Sequence, residues 1–505
     1  MKYEPVIGIE IHVQLKTKSK MFCRCSADIW TEPPNTHVCP ICLGLPGALP
    51  FPNKEAIEKA VKVGLALNCQ PRIESKFDRK NYFYPDLPKG FQISQYDLPF
   101  SEAGWVEIEI NGKKKKVGIT RAHLEEDTGK LIHAKVNGEN VTLVDFNRSG
   151  IPLIEIVSAP DLKTAQEAKQ YAAKIQQIVR YLGVTEADME KGSMRVEPNV
   201  SLRKVTKETN GTKATKVLPN YKVELKNINS FRSVTMAIEY EIQRQAELLD
   251  RGSTPIQETR GWDETKFKSY SQRTKEEAQD YRYFPEPDLP PVEISSALIS
   301  NLKKTQPEMP DEKMGRYIKI YQLSNSDAKL LTRDFALANF FEGATAAFAK
   351  TRIKGVKTRS TKQDAVKIAN WVKGEVLRNL NELGKGISET EFLPADLAEI
   401  VYLLESGEIS AQSAKLVLGK WMKDGEKPAS LIQSLKVKSL PSEALAALIK
   451  KVITDNPKAV ADYKSGKVAA LSFLIGQVQK ETGGRLRVDD DVDKLLQKEL
   501  QLTKN

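Results

Sequence analysis

The 505-residue chain lacks the marks of several large protein classes. No run of roughly 18 apolar residues occurs, the length a membrane-crossing helix needs, so no spanning segment is expected. Neither G-x-x-x-x-G-K-[ST] nor G-x-G-x-x-G is present, so a nucleotide site would be neither a phosphate loop nor a dinucleotide fold. Low-complexity tracts and obvious repeats are missing. The opening Met1-Lys2-Tyr3-Glu4-Pro5 offers no apolar stretch and no Arg/Ser-rich transit pattern, which leads to the expectation of a cytoplasmic address and reduced thiols. Histidine is scarce at four residues and cysteine at five, so any site rich in either must draw on a few positions.

What is present begins with charge. A formal net charge of +11 and a pI near 9.1 point to a polyanionic partner, most simply nucleic acid, although a merely soluble basic protein has the same balance. Placement sharpens the reading. Lys350, Arg352, Lys354, Lys357, Arg359, Lys362 and Lys367 crowd one stretch opposed only by Asp364, which favours a phosphate-contacting surface. Lys113 to Lys116 follow Asn111-Gly112 and read as a solvated hairpin tip.

Four of the five cysteines fall in one window, as Cys23-x-Cys25 and Cys39-x-x-Cys42. Two close pairs joined by a loop can supply four thiolates to one tetrahedral zinc, and four thiolates leave no open position for chemistry, so a structural zinc is expected. Two disulfides, or four inert buried thiols, are the competing readings. Just upstream, Val6-Ile7-Gly8-Ile9-Glu10-Ile11-His12-Val13 alternates as a strand. Period two puts Glu10 and His12 on one face and the isoleucines on the other. That face could bind a divalent cation or could be the polar side of a half-buried strand.

Further polar groups join the pattern. Arg121 to Lys130 carries His123 and three consecutive acids, Glu125, Glu126 and Asp127. Glu155 interrupts the apolar run Ile151 to Val157, where a lone carboxylate is costly unless paired with a neighbour such as Arg148 or bound to metal. Met194-Arg195-Val196-Glu197 repeats the alternation. Many carboxylates with few soft ligands favour Mg²⁺. Lys76-Phe77-Asp78-Arg79-Lys80-Asn81-Tyr82-Phe83-Tyr84-Pro85 mixes cations, aromatics and proline in a loop suited to clamp phosphate or stack a base, or simply pinned by its own packing.

Composition changes near 285–310. Before it, segments 105–110, 141–146 and 151–157 read as strands and 162–182 as a helix; beyond it, stripes of period 3.6 predict helices over 311–323, 326–348, 362–383, 395–405, 410–424, 442–456 and 459–480. Ser410 and Ser442 read as helix caps.

Val6 to His12, Lys76 to Pro85, Gly118 to Lys130, Glu224 to Ser230, Asp280 to Asp288 and Gly466 to Val478 together resemble the B-subunit family of the aspartyl/glutamyl-tRNA amidotransferases, collinearly and over nearly the whole chain. The resemblance implies an α+β (mixed α/β) protein. Its parts would be a glutamine-synthetase-like catalytic cradle over 1–292 with a zinc knuckle at 23–42, a helical linker domain over 293–355, and a helical tail over 356–505 that contacts tRNA. It implies a carbon–nitrogen ligase working with two partner chains, an amidase and a small third protein. The amidase would release ammonia from glutamine and channel it here. ATP would phosphorylate the side-chain carboxylate of Glu-tRNA(Gln) or Asp-tRNA(Asn), and ammonia would convert it to Gln-tRNA(Gln) or Asn-tRNA(Asn). The implied catalytic residues are Glu10, Lys80, Glu125 and Glu126, with Lys80 and Arg148 toward ATP. His12, Glu125, Glu126 and Glu155 would hold Mg²⁺, and Cys23, Cys25, Cys39 and Cys42 structural Zn²⁺. The alternative is a non-catalytic tRNA-binding scaffold of the same complex.

Overall fold

The computed structural model describes residues 3–205, 218–274, 281–352, 361–435, 442–482 and 492–502. It divides into two compact units, Met1–Met309 and Pro310–Asn505. The first is rich in sheet and the second is helical, the mixed α+β architecture expected. Among the described residues no helix is long and apolar enough to cross a membrane.

The first unit is built on a nine-stranded sheet. Five strands form its middle: β1 (Tyr3–Gln14), β2 (Lys113–Glu126), β3 (Pro152–Ser158), β4 (Met194–Lys204) and β5 (Val223–Lys226). Their spatial order is β5-β4-β1-β3-β2, all antiparallel. Strands Lys268–Thr274 and Glu258–Asp263 extend one side, the latter parallel to β5, while Ser101–Ile110 and Gln70–Pro71 extend the other. Ser101–Ile110 joins β2 through a two-residue turn in which Asn111 and Gly112 both take positive φ, the twist a tight hairpin requires. The lysines after this turn are partly engaged rather than simply solvated. Lys115 bonds Glu167 at 2.8 Å, and Lys116 lies 3.8 Å from the centre of the Trp105 ring.

Alternation makes the sheet two-faced. Ile7, Ile9, Ile11 and Val13 of β1, with Ile154, Ile156, Leu124, Val196 and Val200, form the dry face. Helices α1 (Lys54–Ala66), α2 (Ala165–Tyr181) and α3 (Phe231–Asp250) bury their apolar stripes in the same core. Asn53, Thr164 and Ser230 cap these helices, each accepting from a first-turn N–H. The opposite face is left to polar side chains. A small three-stranded sheet, Phe284–Pro285, Asp78–Asn81 and Phe91–Ser94, supplies further residues to the site; a hairpin, Lys130–Val136 with Glu139–Asp145, and a short antiparallel pair, Glu74–Ser75 with Val292–Glu293, make up the other β structure of the described residues.

In the second unit two expected helices are each broken in two. The 326–348 stripe is Asn325–Leu331 and Phe335–Arg352, because Asp334 Oδ1 accepts from Leu337 N at 2.7 Å and starts a new helix. The 459–480 stripe is Pro457–Lys464 and Val468–Thr482, separated where Gly466 takes φ +94°. The 362–383 stripe is continuous but passes through a π-helical turn at Val372–Val376. Ser410 does cap Ala411–Asp424, whereas Ser442 is already the first residue of the helix Ser442–Asp455. Two apolar cores fill the unit, one around Phe341, Ile368, Val401 and Trp421, the other around Ile449, Leu474 and Leu496. Ser296–Lys304, by contrast, packs Leu302 into the core of the first unit, so the boundary between units falls at Met309/Pro310.

Candidate active site

Strand register assembles the polar face. His12 lies opposite Glu155 on one side and Arg195 on the other, and Glu155 in turn lies opposite His123. Two residues along, Glu10 faces Glu197, and Asn199 faces Glu224. Because side chains repeat every second residue, these rows stack into one continuous patch across five strands.

Its centre is compact. His12 Nε2 is 3.3 Å from Glu155 and 3.6 Å from Glu125, and His123 Nε2 is 3.4 Å from Glu155 and 3.9 Å from Glu125. Burial works against charge on His12, but the hydrogen bond and charge of Glu155, with Glu197 and Glu125, push its pKa up to about 9. Burial likewise opposes ionisation of Glu155, yet the two histidines hold its carboxyl well below the usual range. Beside this lies a second group, Glu10, Glu197 and Glu224. Burial raises the Glu10 pKa, and the nearby charges of Glu155, Glu224 and Glu197 raise it further. Glu197 goes the other way, to about 2, because Lys226 at 3.0 Å outweighs the burial penalty with help from His12 and Arg195. Glu10 also accepts from Asn199 Nδ2 at 3.0 Å. Ligand atoms of His12, Glu125 and Glu155 lie within 4.8 Å of one another, as do those of Glu10, Glu197 and Glu224, so each trio could hold a cation. Positive charge otherwise comes from protonated His12, from Lys226, Arg195 and Lys80, and from Arg121, which lies 4.0 Å from Glu155.

Lys80 comes from the strand Asp78–Asn81. Its ammonium is 5.1 Å from the centre of the Tyr281 ring and 6.0 Å from that of Tyr82, an aromatic cage. Burial disfavours its charge, but Glu125, Tyr283 and Glu155 reverse the balance and keep the amine protonated. Tyr283 stacks on Tyr96 at 4.3 Å, and Ser94 Oγ donates to Glu125 at 3.2 Å. The aromatic loop therefore delivers one cation to the carboxylate cluster.

The three consecutive acids separate. Glu125 joins the cluster. Glu126 points away from it, pairing with Lys89 Nζ at 2.6 Å and accepting from Ile93 N at 3.0 Å, in the wall of a cavity shared with Arg79, Glu286, Cys23 and Cys42. Asp127 is buried between Gln14 Nε2 at 2.7 Å and Arg195 at 3.1 Å. Arg148 donates to the carbonyls of Thr128 and Gly129 at 2.9 and 2.7 Å and lies 3.9 Å from Asp127, so its guanidinium is occupied in holding that loop. The structure thus brings together Glu10, His12, Lys80, Glu125 and Glu155, and does not bring Glu126 or Arg148 to them. Sequence reasoning assigns no role to His123, Glu197, Glu224 or Lys226, all of which join the cluster. A spacing of two within each strand is their only local sign.

Cys23, Cys25, Cys39 and Cys42 converge, their sulfurs within 4.8 Å of one another, and all are free thiols. A hydrogen bond from Cys23 pulls the Cys42 pKa down to about 5, against burial and with the charge of Lys20 assisting, while burial pushes Cys25 up to about 11. The Cys39 N–H also donates to Cys42 Sγ at 3.1 Å. Four convergent sulfurs, one already thiolate-like, could hold zinc.

Residues 5–300 match the family of the GatB/GatE catalytic domain, and residues 356–500 match the GatB domain. The B subunit of an aspartyl/glutamyl-tRNA(Asn/Gln) amidotransferase from Thermoanaerobacter pseudethanolicus is 48% identical over 486 residues, covering 96% of this chain and 97% of the relative. The chain belongs to the amidotransferase B-subunit family. Further B-subunit relatives, from Carboxydothermus hydrogenoformans and Thermotoga petrophila, are 46% and 47% identical; the first is covered over 99% of both chains, the second over 96%. The matched catalytic domain contains every residue of the carboxylate cluster, Lys80 and the four cysteines.

Of the basic stretch seen in the sequence, Lys354, Lys357 and Arg359 lie outside the described residues, as does Asp280 of the motif ending at Asp288. Lys367 is paired with Glu405.

Proposed function

We propose that this chain is the kinase and transamidase component of a glutamine-dependent tRNA amidotransferase. ATP would activate the side-chain carboxylate of Glu-tRNA(Gln) or Asp-tRNA(Asn), and ammonia would complete the amide. The observation that carries the reading is the set of five carboxylates and two histidines, buried or half-buried on one face of the sheet, with Lys80 beside it. A non-catalytic scaffold has no use for so costly a concentration of like charge, whereas phosphoryl transfer needs one to hold cations.

A carboxylate is a poor electrophile. Its oxygen attacks the γ-phosphorus, ADP leaves, and the acyl phosphate formed is open to ammonia, which expels inorganic phosphate. Atoms balance as ATP, ammonia and glutamyl-tRNA going to ADP, phosphate and glutaminyl-tRNA. His12, Glu125 and Glu155 would hold one Mg²⁺, and Glu10, Glu197 and Glu224 are placed to hold a second; the donors are mostly carboxylate oxygens, which suit a hard cation. Magnesium so held would neutralise phosphate oxygens. Of the two neighbouring candidates Glu125, not Glu126, is the ligand we assign. Lys80, fixed in its aromatic cage, would meet charge developing on the transferring phosphoryl group. Arg148 and Asp127 keep the loop at the edge of the cradle in place rather than touching nucleotide.

The relatives are subunits by name, so we place this chain in a complex with an amidase, which would channel ammonia to it, and a small third protein. We assign the helical region 356–505 to tRNA contact and the cytoplasm as the compartment. The four cysteines would take a structural Zn²⁺. Conversion of labelled Glu-tRNA and Asp-tRNA by the purified complex with ATP, Mg²⁺ and ammonium chloride tests the reading, because ammonium replaces the amidase's product. Amide formed in proportion to ADP is the expected result. Bound tRNA without amide, in a preparation whose amidase is active, would leave only the scaffold role.

A further inference from the structure

Lys20 is fully buried, yet no carboxylate among the described residues forms an ion pair with it. Its ammonium donates to the carbonyls of His37 at 2.7 Å and Phe146 at 3.2 Å, and the remaining contact is Cys42 Sγ at 3.8 Å. Carbonyl dipoles solvate a buried cation but do not neutralise it, and an unpaired buried charge is costly by several kcal/mol, roughly. The counter-charge within reach is therefore the sulfur cluster. Four thiolates around Zn²⁺ carry a net charge of −2, and one adjacent ammonium halves it.

The same lysine ties the knuckle to the loop at 146–150. Gly150 packs against the Lys20 stem at φ +87°, a left-handed backbone that glycine adopts without strain. Met21 N donates to Gly150 O at 2.7 Å, His37 N to Asn147 Oδ1 at 2.7 Å, and Ser149 Oγ to Cys42 O at 3.4 Å. Gly150 N then donates to Asp127 O at 2.9 Å, and Asp127 holds Gln14 and Arg195 on the strands of the cradle.

We propose that Lys20 is the counter-ion of the cysteine site and a positioning residue that couples metal occupancy to the 146–150 loop and the Asp127 edge of the cradle. This rests on the reading of the four cysteines as a zinc site. The knuckle is then more than a staple: losing its metal removes the doubly negative cluster that faces Lys20 and the tie that holds the four sulfurs together, and the loop that shares its hydrogen bonds loosens.

The test compares wild type, Lys20→Met and Lys20→Arg in the assembled complex under reducing conditions. It measures zinc content, the rate of zinc release to a chromogenic chelator, and amide exchange of residues 146–150. Lys20→Met should release zinc at least about tenfold faster, the scale on which residues supporting metal ligands act. Its exchange at Ser149 and Gly150 should rise toward that of chelated wild type, while Lys20→Arg keeps the slower release. Release from Lys20→Met at the wild-type rate, or unchanged exchange in chelated wild type, would overturn the proposal. Wild type purified without zinc would refute the metal reading beneath it as well, so the two failures are distinguishable. If Lys20→Met does not fold, the chelated wild type decides alone: faster exchange at 146–150 supports the coupling and unchanged exchange refutes it.

Discussion

Glu125, Glu126 and Asp127 are adjacent in sequence and end in three different environments, because successive side chains of a strand leave on opposite faces and Asp127 lies just past the strand's end. Their substitutions should separate accordingly. Glu155→Gln or Glu125→Gln should reduce ammonium-supported amidation by at least about 100-fold, the scale of losing one group that stabilises transition-state charge, with tRNA binding retained; a filter-binding assay beside the turnover assay checks both halves. Glu126→Gln should act on stability instead. It strands Lys89 beside a neutral partner in a buried cavity wall and should cost about 3 kcal/mol in a urea titration, with divalent-cation binding unchanged. The residue scale also marks how far the sequence could be read. Glu10 and His12 share a strand face by period two alone, and Glu155 stood out because a carboxylate among isoleucines needs a partner. His123, Glu197 and Glu224 acquire meaning only once His12 is known to face Glu155 and Glu10 to face Glu197, and such register is set by pairing between residues far apart in the chain.

Elements were legible where a local rule decides them. Asn111-Gly112 specifies its hairpin, and the apolar stripe of α2 specifies a helix over Ala165–Tyr181. Periodicity carried the reading past Asp334 and Gly466, where a cap and a left-handed glycine end one helix and begin the next without interrupting the stripe. Close approach between elements was not legible at all. A Cβ on Gly64 of α1 would lie 2.0 Å from Ser101 Oγ and 2.6 Å from its Cβ, so Gly64→Ala should push the helix off the sheet and lower stability by about 1–3 kcal/mol in thermal unfolding. At the far end of β1, Arg203 and Lys163 bond Glu4 and hold its pKa below 4.5. A depressed carboxylate contributes stability above its unfolded pKa and loses it as pH falls through the folded value. Glu4→Gln should therefore be less stable than wild type at pH 7, by no more than about 1 kcal/mol for so exposed a pair, and the two should converge as the pH drops below 4.5. Denaturant midpoints across pH 3–7 measure the difference.

At the scale of the whole molecule, a sheet-rich unit is built on one apolar core and a helical unit on two of its own. The shift from alternation to period 3.6 announced that division in the sequence, while the boundary at Met309/Pro310 depended on where Leu302 packs. If the helical region serves tRNA, residues 1–309 alone should still bind Mg²⁺ and ATP but hold tRNA at least about tenfold more weakly, as expected when one of two linked contact surfaces is removed. Calorimetry and filter binding would show it. The central claim is that the cradle makes a carboxylate reactive by phosphorylating it, and an isotope experiment reads that step directly. Glu-tRNA labelled with ¹⁸O in its side-chain carboxylate would be converted with ATP, Mg²⁺ and ammonium by the wild-type complex, and the phosphate released analysed by mass spectrometry. The account predicts one ¹⁸O in each phosphate formed with amide, and neither phosphate nor amide from Glu155→Gln; amide accompanied by unlabelled phosphate would contradict it.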